Sequence, residues 1–155
     1  MSLNVVLLNP EIPTNTGNIG RLCLASGSKL HLIKPLGFEI TDSRLKRAGL
    51  DYWQHLDVTY YADFEDFIAK NSNGRLHFFS SHASNTVWDL KFDQNDFIIF
   101  GKESVGLPKS ITDFYKDNCY KIPMYSPKIR SLNLANAVSI VVYEGLRQLA
   151  VNNEH

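Results

Sequence analysis

The sequence carries no net charge and few cysteines, and both features exclude classes of protein. Lysine and arginine number 16 and acidic residues number 16, so no overall field draws the chain to nucleic acid. Any nucleic-acid site must therefore be a local patch. The 2 cysteines, Cys23 and Cys119, lie far apart in apolar surroundings, which indicates buried reduced thiols and a cytoplasmic location.

Targeting, metal and nucleotide patterns are also missing from the sequence. Without a basic, apolar leader or a run of about 18 apolar residues, we expect neither a signal peptide nor a membrane span. The 5 histidines form no HxxxH or HExxH pattern, which predicts that no metal is bound. A Walker A sequence, GxGxxG and GxSxG are missing too. With no repeat or linker, the chain of 155 residues predicts one domain, residues 1–155.

Short apolar segments that stop at proline, glycine or asparagine alternate with amphipathic segments. The predicted strands are residues 3–8, 30–33, 58–61, 76–80, 96–100 and 119–122. The predicted helices cover residues 14–27, 41–47, 63–73, 108–114 and 131–150. This alternation predicts an α/β fold with a mainly parallel sheet flanked by helices. Ligands bind beyond the carboxyl ends of such strands, where we expect four loops to converge, at Asn9, Phe79–Ser80, Gly101 and Ile122–Pro123.

The loop from Asn9 to Arg21 combines two prolines with polar residues. Asn15 and Arg21 are expected to approach the same edge of the sheet. An arginine at a junction of loop and helix suits a phosphate or carboxylate, because its planar fork makes two hydrogen bonds. A helix cap at Thr14 or Asn15, with a surface ion pair, explains the same residue types.

The segment 101–108 follows a predicted strand and holds two candidate residues. Gly101 would let a ligand approach bare backbone, and the Glu103 carboxylate could bind a hydroxyl, an amine or an arginine. A simple turn with a solvated glutamate is the alternative. Pro108 is expected to be the first residue of a helix.

Arg130, Ser131, Leu132 and Asn133 precede the long C-terminal helix. Ser131 is a natural N-cap, and the free amides of the helix start could hold an anionic or polar ligand. Capping alone leaves Arg130 and Asn133 without an explanation.

A basic segment stands beside two aromatic residues, Tyr52 and Trp53. Its cations are Arg44, Lys46 and Arg47. Phosphate neutralisation beside a stacking surface serves RNA binding. A solvated helix face with the aromatic rings buried beneath it is an equally good interpretation.

Taken together, residues 9–21, 47–53, 100–108, 122–124 and 130–139 resemble the SPOUT methyltransferases, and within them the TrmL-type tRNA (cytidine/uridine-34)-2'-O-methyltransferases. The resemblance spans essentially the whole chain, in order. It implies an α/β-knot fold with a C-terminal trefoil knot, and a homodimer with the active site at its interface. It also implies S-adenosyl-L-methionine as methyl donor, S-adenosyl-L-homocysteine as product, and the tRNA anticodon loop as substrate.

The resemblance also assigns roles to individual residues. The catalytic set it implies is Asn15, Arg21, Glu103, Ser131 and Asn133. The cofactor-binding set it implies is Phe79, Gly101, Glu103, Ile122, Met124, Ser131 and Leu132. RNA binding is expected at Arg44, Lys46, Arg47 and Arg130. Two stretches depart from the family's pattern: Lys102 stands where relatives often have proline, and residues 126–129 differ from the commoner version.

Arg21 has two possible roles in this chemistry. Relatives are thought to use the equivalent arginine as the base that takes the ribose proton. Because a guanidinium rarely gives up its proton, Arg21 could instead hold the 3'-phosphate or stabilise the developing alkoxide. Rival functions are methylation of another RNA site, a non-catalytic RNA-binding protein and a nucleotide-binding regulator.

Overall fold

A computed structural model describes residues 2–153, in which seven strands form one sheet. The strands are β1 Asn4–Leu8, β2 Lys29–Ile33, β3 Val58–Tyr61, β4 Leu76–Phe79, β5 Asn85–Thr86, β6 Phe97–Phe100 and β7 Cys119–Lys121. The helices are α1 Pro13–Ser26, α2 Ser43–Gly49, α3 Phe64–Lys70, α4 Lys109–Phe114 and α5 Leu134–Asn153. Short 3₁₀ helices cover Leu50–His55, Val87–Asp89 and Lys116–Asn118.

The strands lie in the order β3-β2-β1-β6-β4-β7-β5, and every neighbouring pair is parallel. The predicted α/β class and parallel sheet are therefore confirmed. The sequence interpretation missed β5, because a strand of two residues carries almost no hydrophobic pattern. The C-terminal knot stays a prediction.

Alternate residues of the central strands face two different helical layers. Val5 and Leu7 pack in the layer that contains the buried residues of α1 and α5. Val6 and Leu8 pack in the opposite layer, with residues of α3 and α4. Burial on both faces explains the continuous apolar run of β1. Each fully buried side chain of this size contributes about 1.5–3 kcal/mol to folding.

The order of the strands determines where the candidate loops meet. β1, β6, β4 and β7 are consecutive neighbours, with Leu7 opposite Phe100, Phe100 opposite Phe79, and Phe79 opposite Tyr120. Parallel strands end at the same edge, so the loops after these four strands leave from one place. The predicted convergence of the four loops is confirmed.

Two further sequence expectations concern the cysteines and the membrane. Cys23 and Cys119 are both buried free thiols, as predicted. Burial raises the pKa of the Cys23 thiol to about 12, which makes it a poor nucleophile. Among the residues described, helices long and apolar enough to span a bilayer are not found.

Candidate functional site

The carboxylate of Glu103 joins the loop after β6 to the start of α1. Its two oxygens accept hydrogen bonds from the backbone N–H groups of Glu11 and Ile12, each at 2.8 Å. The side-chain amide of Asn15 donates to the same carboxylate at 3.3 Å. In return, the Ser104 N–H donates to the Glu11 carboxylate at 2.8 Å. Hydrogen bonds from Ser104 hold the pKa of Glu11 below its usual value.

This arrangement corrects the predicted cap of α1. The helix begins at Pro13, and Ile12 stands at the N-cap position without a capping side chain. Glu103, from a distant loop, binds the N–H groups of Glu11 and Ile12, the two residues just before the helix. Asn15 lies inside the first turn and is 7% exposed, so it is a buried hydrogen-bonding residue rather than a cap. The predicted end of the helix at Gly27 is confirmed, with φ 70°.

The start of α5 also differs from the prediction. The helix begins at Leu134, and the side-chain oxygen of Asn133 accepts hydrogen bonds from the N–H groups of Ala135 and Asn136, at 2.9 and 3.3 Å. Asn133 is therefore the N-cap, and the expectation that Ser131 caps the helix was wrong. Serine and asparagine are equally good caps, and Ser131 stands two residues too early in the chain. Ser131 is instead an exposed loop residue.

Gly101 is needed by the protein's own backbone. A Cβ at this position would lie 2.1 Å from the carbonyl carbon of Gly106 and 2.2 Å from the nitrogen of Leu107. The loop closes there, because the Gly106 N–H donates to the Lys102 carbonyl at 2.8 Å. Close packing of the loop thus explains the glycine without a ligand. That Gly101 contacts the cofactor stays a prediction.

A cleft of about 470 Å³ opens beyond the carboxyl end of β7. Its lining includes Lys121, Ile122, Met124, Tyr125, Ile129 and Arg130. Ile122 and Met124 are thus brought to one cleft, as the resemblance implied, and Arg130 joins them. The volume suits a small molecule, since ligand pockets measure about 300–1,000 Å³.

The residues of this cleft fit S-adenosylmethionine. Met124 and Ile129 offer apolar surface for an adenosine group, and Lys121 and Arg130 offer cations for a carboxylate.

Two other residues predicted to bind the cofactor lie outside the lining of the cleft. Leu132, 36% exposed, follows the cleft residues in the chain. Phe79 ends β4 at the same edge, where its ring stacks on Phe100 at 5.1 Å and is buried.

A larger cavity, of about 600 Å³, lies near the amino ends of β4 and β7. Arg75 and His77 are among its lining residues. Ligands of parallel sheets bind at the carboxyl ends of the strands, so the smaller cleft is the better candidate.

Arg21 lies over Tyr52 and outside the Glu103 network, the hydrogen bonds that join Glu103, Glu11, Ile12, Asn15 and Asn133 within one chain. Six residues of α-helix place Arg21 about 9 Å along the axis from Asn15, with the two side chains about 120° apart around it. Arg21 is exposed, and its Cζ lies 5.1 Å from the centroid of the Tyr52 ring. A single chain therefore does not bring Asn15 and Arg21 together in the way the sequence predicted.

The basic segment divides into residues with different surroundings. Arg44 makes two hydrogen bonds to the Asp42 carboxylate, at 3.2 and 3.0 Å, so its charge is offset. Arg47 is exposed, whereas the side chain of Lys46 lies outside the described residues. Trp53 packs against the core, as the interpretation of buried rings expected. Tyr52 is 39% exposed, and its use as a stacking surface for RNA stays a prediction.

Sequence reasoning missed how several of these residues are joined. The pairing of Asn15 with Asn133, at 3.1 Å, joins positions 118 residues apart and has no local pattern. Tyr125 and Ile129 of the cleft could have been suspected from the loop sequence alone, as large apolar groups in a proline-rich stretch.

Comparison with known proteins decides the family, since residues 2–143 match the SpoU rRNA Methylase family. This chain belongs to the SpoU methylase family. The resemblance identified from the motifs is thereby confirmed. Metal-binding clusters of three or more His, Cys, Asp or Glu residues are not found in the part of the chain that the structure describes.

Individual relatives of this SpoU-family methylase are similar over nearly their whole length. A tRNA (cytidine(34)-2'-O)-methyltransferase of Saccharophagus degradans is 46% identical over 147 residues, which cover 94% of this chain and 95% of that protein. A solved structure described as giving insights into the 2-OH methylation of C/U34 on tRNA is 43% identical, with a TM-score of 0.92. The match covers 96% of this chain and 97% of that one.

A more distant SpoU methyltransferase bears on the cofactor. AviRb from Streptomyces viridochromogenes, solved in complex with AdoMet, is 25% identical and has a TM-score of 0.83. The match covers 95% of this chain but 57% of AviRb.

Proposed function

We propose that this SpoU-family methylase transfers a methyl group from S-adenosylmethionine to the ribose 2'-oxygen of nucleotide 34 in tRNA, with cytidine or uridine at that position. One observation carries the proposal. Hydrogen bonds join the start of α1, the loop after β6 and the N-terminus of α5 into one unit. That unit stands at the carboxyl edge of the sheet, the edge at which the cleft opens beyond β7. The similarity to enzymes that act on nucleotide 34 supports this substrate.

The cleft would be the donor site. Met124 and Leu132 would help line the adenine pocket, and the cofactor would lie against backbone at Phe79, Gly101, Ile122 and Ser131. S-adenosylmethionine supplies an electrophilic methyl group on a positively charged sulfur. The protein therefore has mainly to align the two partners, and alignment can lower the barrier by about 7–11 kcal/mol.

The Glu103 network supports this alignment. Glu103 accepts three hydrogen bonds, so its carboxylate holds the loops together. Asn133 caps α5 and donates to Asn15, which extends the same support to the residues after Ser131. Of the five residues in the catalytic set, we assign positioning to Asn15, Glu103 and Asn133, and contact with the reactants to Arg21 and Ser131.

Arg21 would meet the acceptor ribose. Its guanidinium offers five N–H donors, which suit the 3'-phosphate or the alkoxide that forms as the 2'-oxygen loses its proton. A guanidinium is a poor base, so water or the phosphate would take the proton.

A homodimer would bring Arg21 to the donor site of the partner. The exposed face of α5 carries three large apolar residues, Ile140, Tyr143 and Val151, and α1 packs along α5. Exposed apolar surface of this kind marks an interface, and a twofold dimer would cover it on both copies. The exposed Arg21 of one protomer would then stand near the cleft of the other.

Three finer features belong to this proposal. The trefoil knot would lie in the C-terminal part of the chain, where the segment after β6 crosses β4 to reach β7. The tRNA anticodon loop would contact the basic surface of α2 together with Arg130. A tRNA substrate would place the enzyme in the cytoplasm.

The decisive experiment incubates the protein with methyl-labelled S-adenosylmethionine and bulk tRNA, and then maps the labelled nucleotide by nuclease digestion. We expect label on the ribose of nucleotide 34 only. Label at another nucleotide would identify a different RNA site, and tRNA binding without label would identify a non-catalytic RNA-binding protein. Transcripts with cytidine, uridine or a 2'-deoxynucleotide at position 34 define the accepted base and the acceptor oxygen.

A further inference from the structure

The guanidinium of Arg21 lies over the ring of Tyr52. Its Cζ is 5.1 Å from the ring centroid, within the distance of a cation–π contact. Arg21 is on α1 and Tyr52 is on the 3₁₀ helix Leu50–His55. Both side chains are exposed, so the pair is accessible to a large substrate.

The packing of the residues next to Arg21 and Tyr52 fixes this pair in place. Gly20, the neighbour of Arg21, lies against Trp53, the neighbour of Tyr52. A Cβ at Gly20 would come within 2.8 Å of Trp53 Cζ3, so α1 and the 3₁₀ helix touch where glycine alone leaves room. Trp53 also packs against the core, which anchors its side of the contact. The position of the Tyr52 ring beside Arg21 is therefore set by a buried neighbour, Gly20, on one element and a partly buried neighbour, Trp53, on the other.

The contact leaves the chemistry of Arg21 intact. The attraction between a cation and an aromatic face uses no hydrogen bond, so the five N–H donors of the guanidinium stay available. The ring restricts the side chain, which is otherwise long and flexible, without consuming a hydrogen-bond donor. Preorganised donors act more strongly than mobile ones, because no reorganisation is needed when charge develops.

We infer that Tyr52 is a positioning residue for methyl transfer, whose ring holds the Arg21 guanidinium in the orientation in which it engages the tRNA acceptor. This inference rests on the proposed function, and on the role of Arg21 within it. The face of the ring is what matters, so the Tyr52 hydroxyl is dispensable.

The test compares Tyr52→Phe with Tyr52→Leu in the full-length protein. We expect Tyr52→Phe to keep kcat within about twofold, since phenylalanine retains the ring face. Tyr52→Leu should lower kcat about tenfold or more while the KM for S-adenosylmethionine and the melting temperature stay close to those of the wild type. Phe114→Leu is the control, because Phe114 is an aromatic residue that is 80% exposed and lies on α4, outside the contact of Arg21, Tyr52 and Trp53. It should keep the wild-type kcat.

A spectroscopic signature separates positioning from a general loss of packing. The ring current of Tyr52 should shift the Nε–H resonance of Arg21 in the wild type and in Tyr52→Phe, and the shift should disappear in Tyr52→Leu. An unchanged resonance in Tyr52→Leu would overturn the inference. So would a defect confined to tRNA affinity, which would make Tyr52 a stacking platform for RNA.

Different results would overturn the proposed function and the inference about Tyr52. A wild-type protein that methylates no tRNA would overturn the proposed function and this inference with it. An active wild type beside an equally active Tyr52→Leu variant would overturn the inference alone.

Discussion

The side-chain amide of Asn133 donates a hydrogen bond to the side-chain oxygen of Asn15 at 3.1 Å. Asn15 donates in turn to Glu103, and Asn133 caps α5 with its own oxygen. One asparagine therefore both completes a helix and joins that helix to the start of α1. A change at this residue should affect stability and methyl transfer by separate routes.

Asn133→Ala and Asn133→Ser separate these two routes. Alanine removes the cap, which should cost about 1 kcal/mol of unfolding free energy, whereas serine also caps helices and should cost little. Both are expected to lower methyl transfer, because neither side chain can donate an amide hydrogen bond to Asn15. Urea unfolding and labelled transfer to tRNA measure the two effects. A fully active Asn133→Ser variant would show that the link to Asn15 is dispensable.

Gly101→Ala and Gly106→Ala make a second matched pair. The alanine at 101 would place Cβ 2.1 Å from backbone, so we expect a loss of more than about 4 kcal/mol or failure to fold. Gly106 has φ +73°, and apart from its chain neighbours no atom lies within 4 Å of the place that a Cβ would take. Alanine there costs only backbone strain, of about 1–2 kcal/mol. Thermal melting compares the two variants, and equal melting temperatures would contradict the close approach at Gly101.

Arg21→Ala should abolish methyl transfer while S-adenosylmethionine still binds. Arg21 lies outside the cleft of its own chain, over Tyr52, so its loss leaves the donor site of that chain intact. Arg21→Lys keeps the charge but not the planar fork, and should recover little activity. Isothermal titration calorimetry checks cofactor affinity. A large loss of affinity in Arg21→Ala would assign this residue to the donor site.

Neutralising Lys46 and Arg47 together should weaken tRNA binding and its dependence on salt. Each lost phosphate contact lowers the slope of log K against log salt by about 0.7–0.9. The control neutralises Lys109 and Lys116, which removes the same charge from exposed residues in the α4 region. Filter binding across salt concentrations measures both. If both double variants weakened tRNA binding equally, binding would depend on the total positive charge of the protein and not on the position of Lys46 and Arg47.

His31 makes stability depend on pH. Its imidazole is buried between the Tyr61 hydroxyl and the Asn4 side chain, each at 2.8 Å, and burial lowers its pKa from 6.5 to about 4. As the pH falls, His31 therefore takes up a proton at a higher pH in the unfolded chain than in the folded protein. The contribution of His31 to stability is complete above about pH 6.5 and falls, by up to about 3 kcal/mol, as the pH drops towards 4.

Urea unfolding at several pH values checks this loss. His31→Gln, which cannot take up a proton, should flatten the stability profile between about pH 6.5 and pH 4. The exposed His82 provides the control, because His82→Gln should leave the profile as it is in the wild type. A wild-type profile retained in His31→Gln would assign the pH dependence to other groups.

Much of the fold was predictable because burial leaves a pattern in the sequence. β1 is buried on both faces and reads as an uninterrupted apolar run, and each strand at the ligand edge stops at a recognisable residue. The family motifs then predicted which loops hold the site. The strand patterns are local in the sequence, and the family motifs are residue types that follow one another in a fixed order along the chain.

The contacts within the site were harder to predict, because they join distant residues. Glu103 reaches the N–H of Glu11 across 92 positions, and nothing near Pro13 shows that its helix is completed from elsewhere. Ser131 and Asn133 are both good caps, so composition could not choose between them. The aromatic and basic residues of the segment 44–53 suggested a surface, but the pairing of Tyr52 with Arg21 depends on how α1 packs.

The central position of β6 has a consequence for synthesis of the chain. β6 lies between β1 and β4, yet it follows both of them in sequence, as does the Glu103 that supports α1. While the ribosome is still making residues 97–103, the nascent chain therefore has an open strand edge on β1, of the kind that promotes association between chains. Residues 2–96 lack β6 and β7, so we expect a peptide that supplies β6 to bind between β1 and β4 of such a fragment.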